Sequence, residues 1–334
     1  MSASAKQPVA ATHGSQKRLP DFFIVGHAKS GTTALYEILR RHPQIYMSDV
    51  KEPQYFARNP TPPANGERSF QQTGRVAFTL DDYLSLFTAA RPDQLIGDAS
   101  TFHLWSATAP GRIAEAQPGA RIIAILREPA SFVRSLHLQM VQNHTESEKD
   151  LRRALALEDD RRQGRHIPRD SHWPSALIYS ERVHYVEQLR RYHAVFPSEQ
   201  ILVLIYDDFK RDNEATVRTV LRFLGLDEAR PIETVDANPS VRVRSVRLDA
   251  MLRAVRWGRG PVGGALHLVV RRLTTRRVRR ALHPLRRRLV YGRPQPPDEQ
   301  LMTELRRRFK GEVVALSEYL DRDLVTLWGY DDID

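Results

Sequence analysis

Short unbroken apolar runs alternate along this chain with stretches where apolar residues recur every third or fourth position. Asp21-Phe22-Phe23-Ile24-Val25 is such a run and ends at Gly26, as a strand buried on both faces of a parallel sheet does. The next residues, 26–31, predict a loop, and 32–41 a helix. Leu35, Ile38 and Leu39 recur at helical spacing, with threonines at the start and arginines at the end, as helix polarity prefers. The alternation returns three times. Residues 94–97 predict a short strand and 108–116 a helix. RIIAIL at 121–126 predicts a buried strand, and Pro129 opens a helix to about 141. Residues 179–193 place Val183, Val186 and Leu189 on one helical face, and ILVLIY at 201–206 predicts another strand. Strands alternating with helices predict an α/β fold, a central parallel sheet of about five strands flanked by helices. Residues 146–174 are polar and predict a surface excursion. Residues 298–328 read as helical, with Leu301, Leu305 and Phe309 on one face. There is no internal repeat.

Composition narrows the class. With 334 residues, 41% hydrophobic and 27% charged, the chain can build one large core. Residues 1–19, rich in Ser, Ala and Gln, read as a disordered leader, which leaves 20–334 as a single domain. The leader lacks the apolar segment of a signal peptide, and the apolar run 261–270 is about half a bilayer span; a cytoplasmic address is expected. The sequence has no cysteine, which excludes a disulfide framework, a thiolate metal site and a cysteine nucleophile.

Lys and Arg number 51 against 40 acids, a net charge of +11. Residues 242–293 contain 16 arginines, no lysine and one acid, Asp249, a local net of +15 that leaves −4 for the rest. A general nucleic-acid binder spreads such charge over its folded body, so no nucleic-acid partner is expected. Within this segment 271–288 (RRLTTRRVRRALHPLRRR) predicts a basic helix broken near Pro284. Three readings stay open for it: a solvated helix packed on the domain, an interfacial helix on anionic lipid at the inner face of the membrane, or a patch guiding an anionic acceptor.

Two separated motifs carry chemistry. In Gly26-His27-Ala28-Lys29-Ser30-Gly31-Thr32-Thr33, between strand and helix, loop amides and the helix N-terminus can cradle an anion. The pattern differs from a Walker A loop, in which Lys follows the last glycine; here Lys29 precedes Gly31. An ordinary βα turn is the plainer reading. Arg127 leaves the carboxyl end of the 121–126 strand, where open α/β sheets bind ligands, and Ser135 lies about two helical turns beyond. A guanidinium fork with a hydroxyl suits a phosphate, although an Arg at a strand end is more often an ion-pair partner.

Together these residues resemble the sulfotransferases that use 3′-phosphoadenosine 5′-phosphosulfate (PAPS). Ala28-Lys29-Ser30-Gly31-Thr32-Thr33-Ala34 resembles their 5′-phosphosulfate loop, and Arg127-Glu128-Pro129 followed by Ser135 their 3′-phosphate motif. The 201–206 strand with Asp207-Asp208-Phe209 resembles their strand ending in Tyr-Glu-Asp, and 217–226 their next helix. The resemblance runs over residues 21–252 and, more weakly, 301–328. It implies a P-loop-like nucleotide-binding core with Lys29, Ser30, Gly31, Thr32, Thr33, Arg127, Ser135 and Tyr206 on PAPS. By position, Arg242 or Arg244 would close over the 3′-phosphate.

Lys51-Glu52-Pro53-Gln54-Tyr55-Phe56 resembles the segment of the glycan-modifying members in which a Glu deprotonates the acceptor hydroxyl. On that resemblance Glu52 is the base; without it the segment reads as a solvated turn. His103 competes, because cytosolic members use a His in Lys-Thr-His after the second strand. Here that stretch is Asp98-Ala99-Ser100-Thr101-Phe102-His103, with the His late and the Lys absent. It also lacks the lysine of the glycan enzymes' Glu-Lys-Ser. His27 reads as a loop filler or an acceptor contact.

The implied reaction is in-line sulfuryl transfer to a hydroxyl of a carbohydrate or glycosylated small molecule, releasing 3′,5′-ADP. Lys29 and the loop amides would stabilise the leaving oxygen, Glu52 would take the proton, and no metal is expected. The alternatives are a nucleotide-dependent phosphoryl transferase, or a non-catalytic protein that binds 3′,5′-ADP at a membrane surface. Acceptor identity and oligomeric state are not encoded in these motifs.

Overall fold

The computed structural model describes residues 17–57, 79–168, 171, 173–229, 231–232, 242–243, 291–292 and 296–333. The elements run β1 (Phe22–Ile24), α1 (Thr32–Arg40), β2 (Ile45–Met47), α2 (Leu80–Ser85), β3 (Leu95–Ala99), α3 (Phe102–Trp105), α4 (Ala109–Ala116), β4 (Arg121–Leu126) and α5 (Pro129–Asn143). Then come α6 (Leu151–Ala156), α7 (Glu158–Arg162), α8 (Tyr185–His193), β5 (Ile201–Ile205), α9 (Tyr206–Arg211), α10 (Asn213–Phe223), β6 (Arg242–Val243), β7 (Tyr291–Gly292), α11 (Glu299–Tyr319) and α12 (Leu324–Trp328).

Five strands form one sheet in the order β2-β3-β1-β4-β5. Every pairing is parallel, with Phe22 opposite both Gly97 and Arg121, and Leu126 opposite Ile205. Side chains alternate between two cores, as strand geometry requires. Phe23, Val25, Ile122, Ala124 and Leu126 pack toward α4, α5, α8 and α11. Phe22, Ile24, Ile123 and Ile125 pack toward α1 and α10. Helices on both faces explain why the strands read as continuous apolar runs. From β1 the chain moves outward to β2, and from β4 it moves the other way to β5. The strand order therefore reverses between β1 and β4, where open sheets form a ligand crevice at their carboxyl ends.

The sheet and its flanking helices match the expectation, with three local differences. β2 has only three residues, IYM after Pro43-Gln44, too few for a periodicity to register. The stretch 179–193 is a 3-10 turn, Tyr179–Val183, followed by α8, with the break at His184. The polar excursion 146–174 contains α6 and α7 and is pinned by buried charge. Glu146 and Arg161 are both buried and lie 2.8 Å apart, and the Tyr179 hydroxyl donates to Glu146 at 2.8 Å. Glu158 accepts from the Ser180 hydroxyl at 2.6 Å and pairs with Arg308 of α11 at 3.1 Å.

Most of 1–19, the Arg244 position and 271–288 lie outside the described residues. Arg242 stands in β6, which pairs with β7 and lies against α5.

Candidate active site

The end of β1 runs hard against β4. Val25 donates its N–H to Ile123 O at 2.9 Å. A Cβ on Gly26 would stand 2.6 Å from Ile125 N, so only glycine fits there. The chain then turns: Ser30 N–H donates to His27 O at 3.2 Å, and Lys29 (φ 68°) and Gly31 (φ 90°) both take left-handed conformations. At Gly31 a Cβ would lie 2.9 Å from Phe209 Cδ1 and 3.0 Å from Tyr206 Cδ2. Thr32 and Thr33 form the first turn of α1, whose start is Gly31 with no side-chain cap. Its first N–H groups thus receive no side-chain cap from the N-cap residue. The Ser30 hydroxyl is buried and has no hydrogen-bond partner among the described residues. Uncapped helix amides, an unpartnered buried hydroxyl and a neighbouring lysine fit a phosphate or sulfate group.

Arg127 crosses to this loop from the end of β4. Its Nη1 donates to Lys29 O at 2.8 Å, and its guanidinium lies 5.0 Å from the centroid of the Tyr206 ring. Burial, and then the Arg127 charge, lower the Lys29 pKa; both causes disfavour a second cation. Glu128 caps α5, accepting from Ala130 N at 2.9 Å, Ser131 N at 2.6 Å and the Tyr330 hydroxyl at 2.5 Å. The Tyr185 hydroxyl donates to Arg127 O at 2.9 Å. Lys29, Ser30, Gly31, Thr32, Thr33, Arg127 and Tyr206 are therefore assembled around one turn, while Ser135 is buried two turns along α5. No side-chain position is described for Arg242 or Arg244.

Glu52 sits beyond the end of β3. Its Oε2 accepts from the Thr101 hydroxyl at 2.6 Å and from Gln54 Nε2 at 3.1 Å, and Lys51 Nζ lies 3.5 Å from Oε1. The side chain is 21% exposed, open enough to meet a solute. β3 pairs directly with β1, so Glu52 and the cradle share the carboxyl edge of neighbouring strands.

His103 is placed differently from an exposed base. It is 0% exposed, both ring nitrogens lack partners among the described residues, and it packs against Phe23 and Phe56. Burial drives its pKa down to about 3. His27 is likewise buried beneath the loop; its Nε2 is 2.8 Å from Gln188 Oε1, and burial followed by the Arg182 charge holds its pKa well below 6.5. At 0% exposure it has no surface open to an acceptor among the described residues.

Other residues were not visible beforehand. Arg182 is buried at 1% exposure with its guanidinium 5.0 Å from the Phe102 ring and 4.5 Å from the Trp105 ring; burial lowers its pKa to about 10 and the Glu52 charge opposes that. Trp173 closes on the same rings at 4.6 and 6.5 Å. An Arg between Glu181 and Val183 reads as a surface residue, and nothing local signals its burial. Among the described residues no three His, Cys, Asp or Glu side chains converge on a point, and no helix is long and apolar enough to cross a membrane.

A glycine-dependent turn with an arginine from the adjacent strand, at the reversal point of a parallel sheet, defines an α/β protein whose cradle fits a phosphorylated or sulfated group. The family model described as Sulfotransferase family matches residues 20–230; the chain belongs to that family. It is 25% identical to carbohydrate sulfotransferase 15 of Mus musculus over 267 residues, 65% of this chain and 46% of that protein. It is 28% identical to the bifunctional heparan sulfate N-deacetylase/N-sulfotransferase 3 of Homo sapiens over 220 residues, 63% of this chain and 22% of that one. The chain thus spans less than half the length of these relatives. A sulfotransferase structure from Alicyclobacillus acidocaldarius superposes with a TM-score of 0.57 at 29% identity, over 71% of this chain and 91% of that one.

Proposed function

We propose that the protein transfers the sulfuryl group of PAPS to a hydroxyl of a carbohydrate or glycosylated small molecule and releases 3′,5′-ADP. The observation that carries this reading is the placement of an accessible carboxylate, Glu52, and an unsatisfied anion cradle on the same edge of adjacent strands. The names of the similar proteins support a sugar acceptor. Lys29, the α1 amides and the Ser30 hydroxyl hold the sulfate and 5′-phosphate and stabilise charge on the oxygen bridging them. Arg127, braced by Tyr206, and Ser135 hold the 3′-phosphate, with Arg242 or Arg244 closing over it. Glu52 accepts the acceptor proton as the new O–S bond forms and the S–O bond to the 5′-phosphate breaks. Phe102, Trp105 and Trp173, each partly exposed, offer a wall for a sugar face.

Calorimetric titration with 3′,5′-ADP, beside 5′-AMP, ATP and Mg²⁺-ATP, tests the donor half. Tight 3′,5′-ADP binding, weakened about 10- to 100-fold in Arg127→Ala by loss of charge-assisted bonds, is expected; ATP binding without 3′,5′-ADP binding would replace this reading with phosphoryl transfer. Transfer of ³⁵S from labelled PAPS to a panel of defined oligosaccharides and glycosides tests the rest. Glu52→Gln is expected to lose at least about a hundredfold in kcat; unchanged activity removes Glu52 from the mechanism. A cytoplasmic address with peripheral lipid contact through residues 271–288 belongs to the same reading. Retention on phosphatidylserine vesicles at low salt tests that contact.

A further inference from the structure

Behind Glu52 lies a second carboxylate that the proposed chemistry does not use. Asp98, in β3, is 1% exposed and among the described residues touches no cation; its hydrogen-bond partners there are two hydroxyls. Tyr83 OH donates to Oδ2 at 2.7 Å, and Ser100 Oγ donates to Oδ1 at 2.6 Å. Ser100 Oγ also accepts from Gln54 N–H at 2.9 Å, so its single proton points to Asp98. Gln54 holds a left-handed φ of 57°, a conformation disfavoured for a side chain of this kind. In that conformation its Nε2 reaches Glu52 Oε2. A continuous set of bonds thus runs from Asp98 through Ser100 and the backbone of Gln54 to the carboxylate of Glu52.

We propose that Asp98 is a positioning residue for Glu52, acting through Ser100 and Gln54. The proposal rests on the reading of Glu52 as the base. Asp98 receives two O–H donors and gives none, the pattern of an ionised carboxylate. Protonating it would place a third hydrogen among two oxygens and turn Ser100 or Tyr83 away. Ser100 is the partner whose turning releases Gln54 and, with it, one of the bonds on Glu52. The groups facing Asp98 are Tyr83 on α2, Glu52 and Lys51 in the loop, and Tyr192 on α8. Burial raises the Asp98 pKa to about 6, the Glu52 charge acts in the same direction, and Lys51 opposes it. The link between the two carboxylates therefore switches near pH 6.

The test is a pH titration, from 4 to 8, of protein carrying ¹³C-labelled Asp and Glu carboxyl groups, followed by NMR. Wild type is compared with Asp98→Asn and Ser100→Ala, and amide spectra and 3′,5′-ADP affinity confirm the fold. The Glu52 carboxyl shift is expected to step at the inflection of Asp98. Asp98→Asn abolishes that step, and Ser100→Ala reduces it by more than half while Asp98 still titrates. A Glu52 shift that does not follow Asp98 in wild type, or an undiminished step in Ser100→Ala, overturns the proposal, the latter because only a through-space field would then be at work. In ³⁵S transfer at pH 7, both variants are expected to lose about tenfold or more in kcat with KM for PAPS unchanged. Full activity of Glu52→Gln would sink the base assignment yet leave the titration result standing, so the two failures are distinguishable.

Discussion

Two imidazoles show what burial does to single residues here. His103 and His27 are held neutral, with pKa values below the 6.5 of an unfolded chain. Between the folded and unfolded values the unfolded chain binds the extra proton. Stability from these groups is therefore present above about pH 6.5 and lost as pH falls, at about 1.4 kcal/mol per pH unit for each fully neutral ring. Asp98 runs the other way: its raised pKa means the folded state holds the extra proton between about 4 and 6, so its contribution declines as pH rises through that interval. His103→Phe keeps a ring against Phe23 and Phe56 and removes the protonation cost. Thermal unfolding is expected to show a Tm advantage over wild type that grows from pH 7 to pH 5, with kcat unchanged; parallel Tm curves would show that the ring is not the acid-sensitive group, and lost activity would restore it as a candidate base.

At the scale of elements, the turn from β1 into α1 depends on two glycines for different reasons. Gly26→Ala forces a methyl into the backbone of Ile125, an overpacking that costs about 1–3 kcal/mol or more, read as a lower Tm. Gly31→Ala meets two aromatic side chains and a φ of 90°, and its expected signature is weaker 3′,5′-ADP binding with a smaller loss of Tm. Equal effects of the two variants on binding and Tm would contradict this division.

This turn was readable in the sequence because its signals are local: an apolar run, glycines, a lysine, then helical spacing. The same holds for β4 with Arg127 and for β5. What escaped reading depends on distant partners. β2 exists because three residues find β3. The 146–174 segment is fixed by Glu146 and Arg161, which pair with each other inside it, and by Glu158, whose counter-charge Arg308 arrives from α11. Arg182 is hidden by aromatics of α3, and the chain from Asp98 to Glu52 joins residues 46 positions apart between Gln54 and Ser100.

Over the whole molecule, the C-terminal helices brace the elements that carry Arg127 and Tyr206. α11 packs on α5 and α8. Tyr330 donates to Glu128 beside Arg127, the Trp328 indole donates to Asp207 at 3.0 Å, and Arg322 pairs with Asp208 at 2.6 Å. Asp207 and Asp208 follow Tyr206, whose ring supports Arg127. Tyr330→Phe removes a donor from a buried carboxylate and is expected to cost about 1–3 kcal/mol of stability. It should also weaken 3′,5′-ADP binding several-fold; unchanged affinity would confine the brace to stability. Arg161→Met, which strands the Glu146 charge, is expected to cost about 3–5 kcal/mol by urea unfolding.

That brace has a consequence in time. A chain growing from its N-terminus possesses the cradle and Arg127 early, but Arg322, Trp328 and Tyr330 emerge about two hundred residues after Arg127. Until they do, the helix that follows Arg127 and the helix that begins at Tyr206 lack their partners. A nascent polypeptide can thus complete its sheet before the two helices that flank the Arg127 guanidinium are braced.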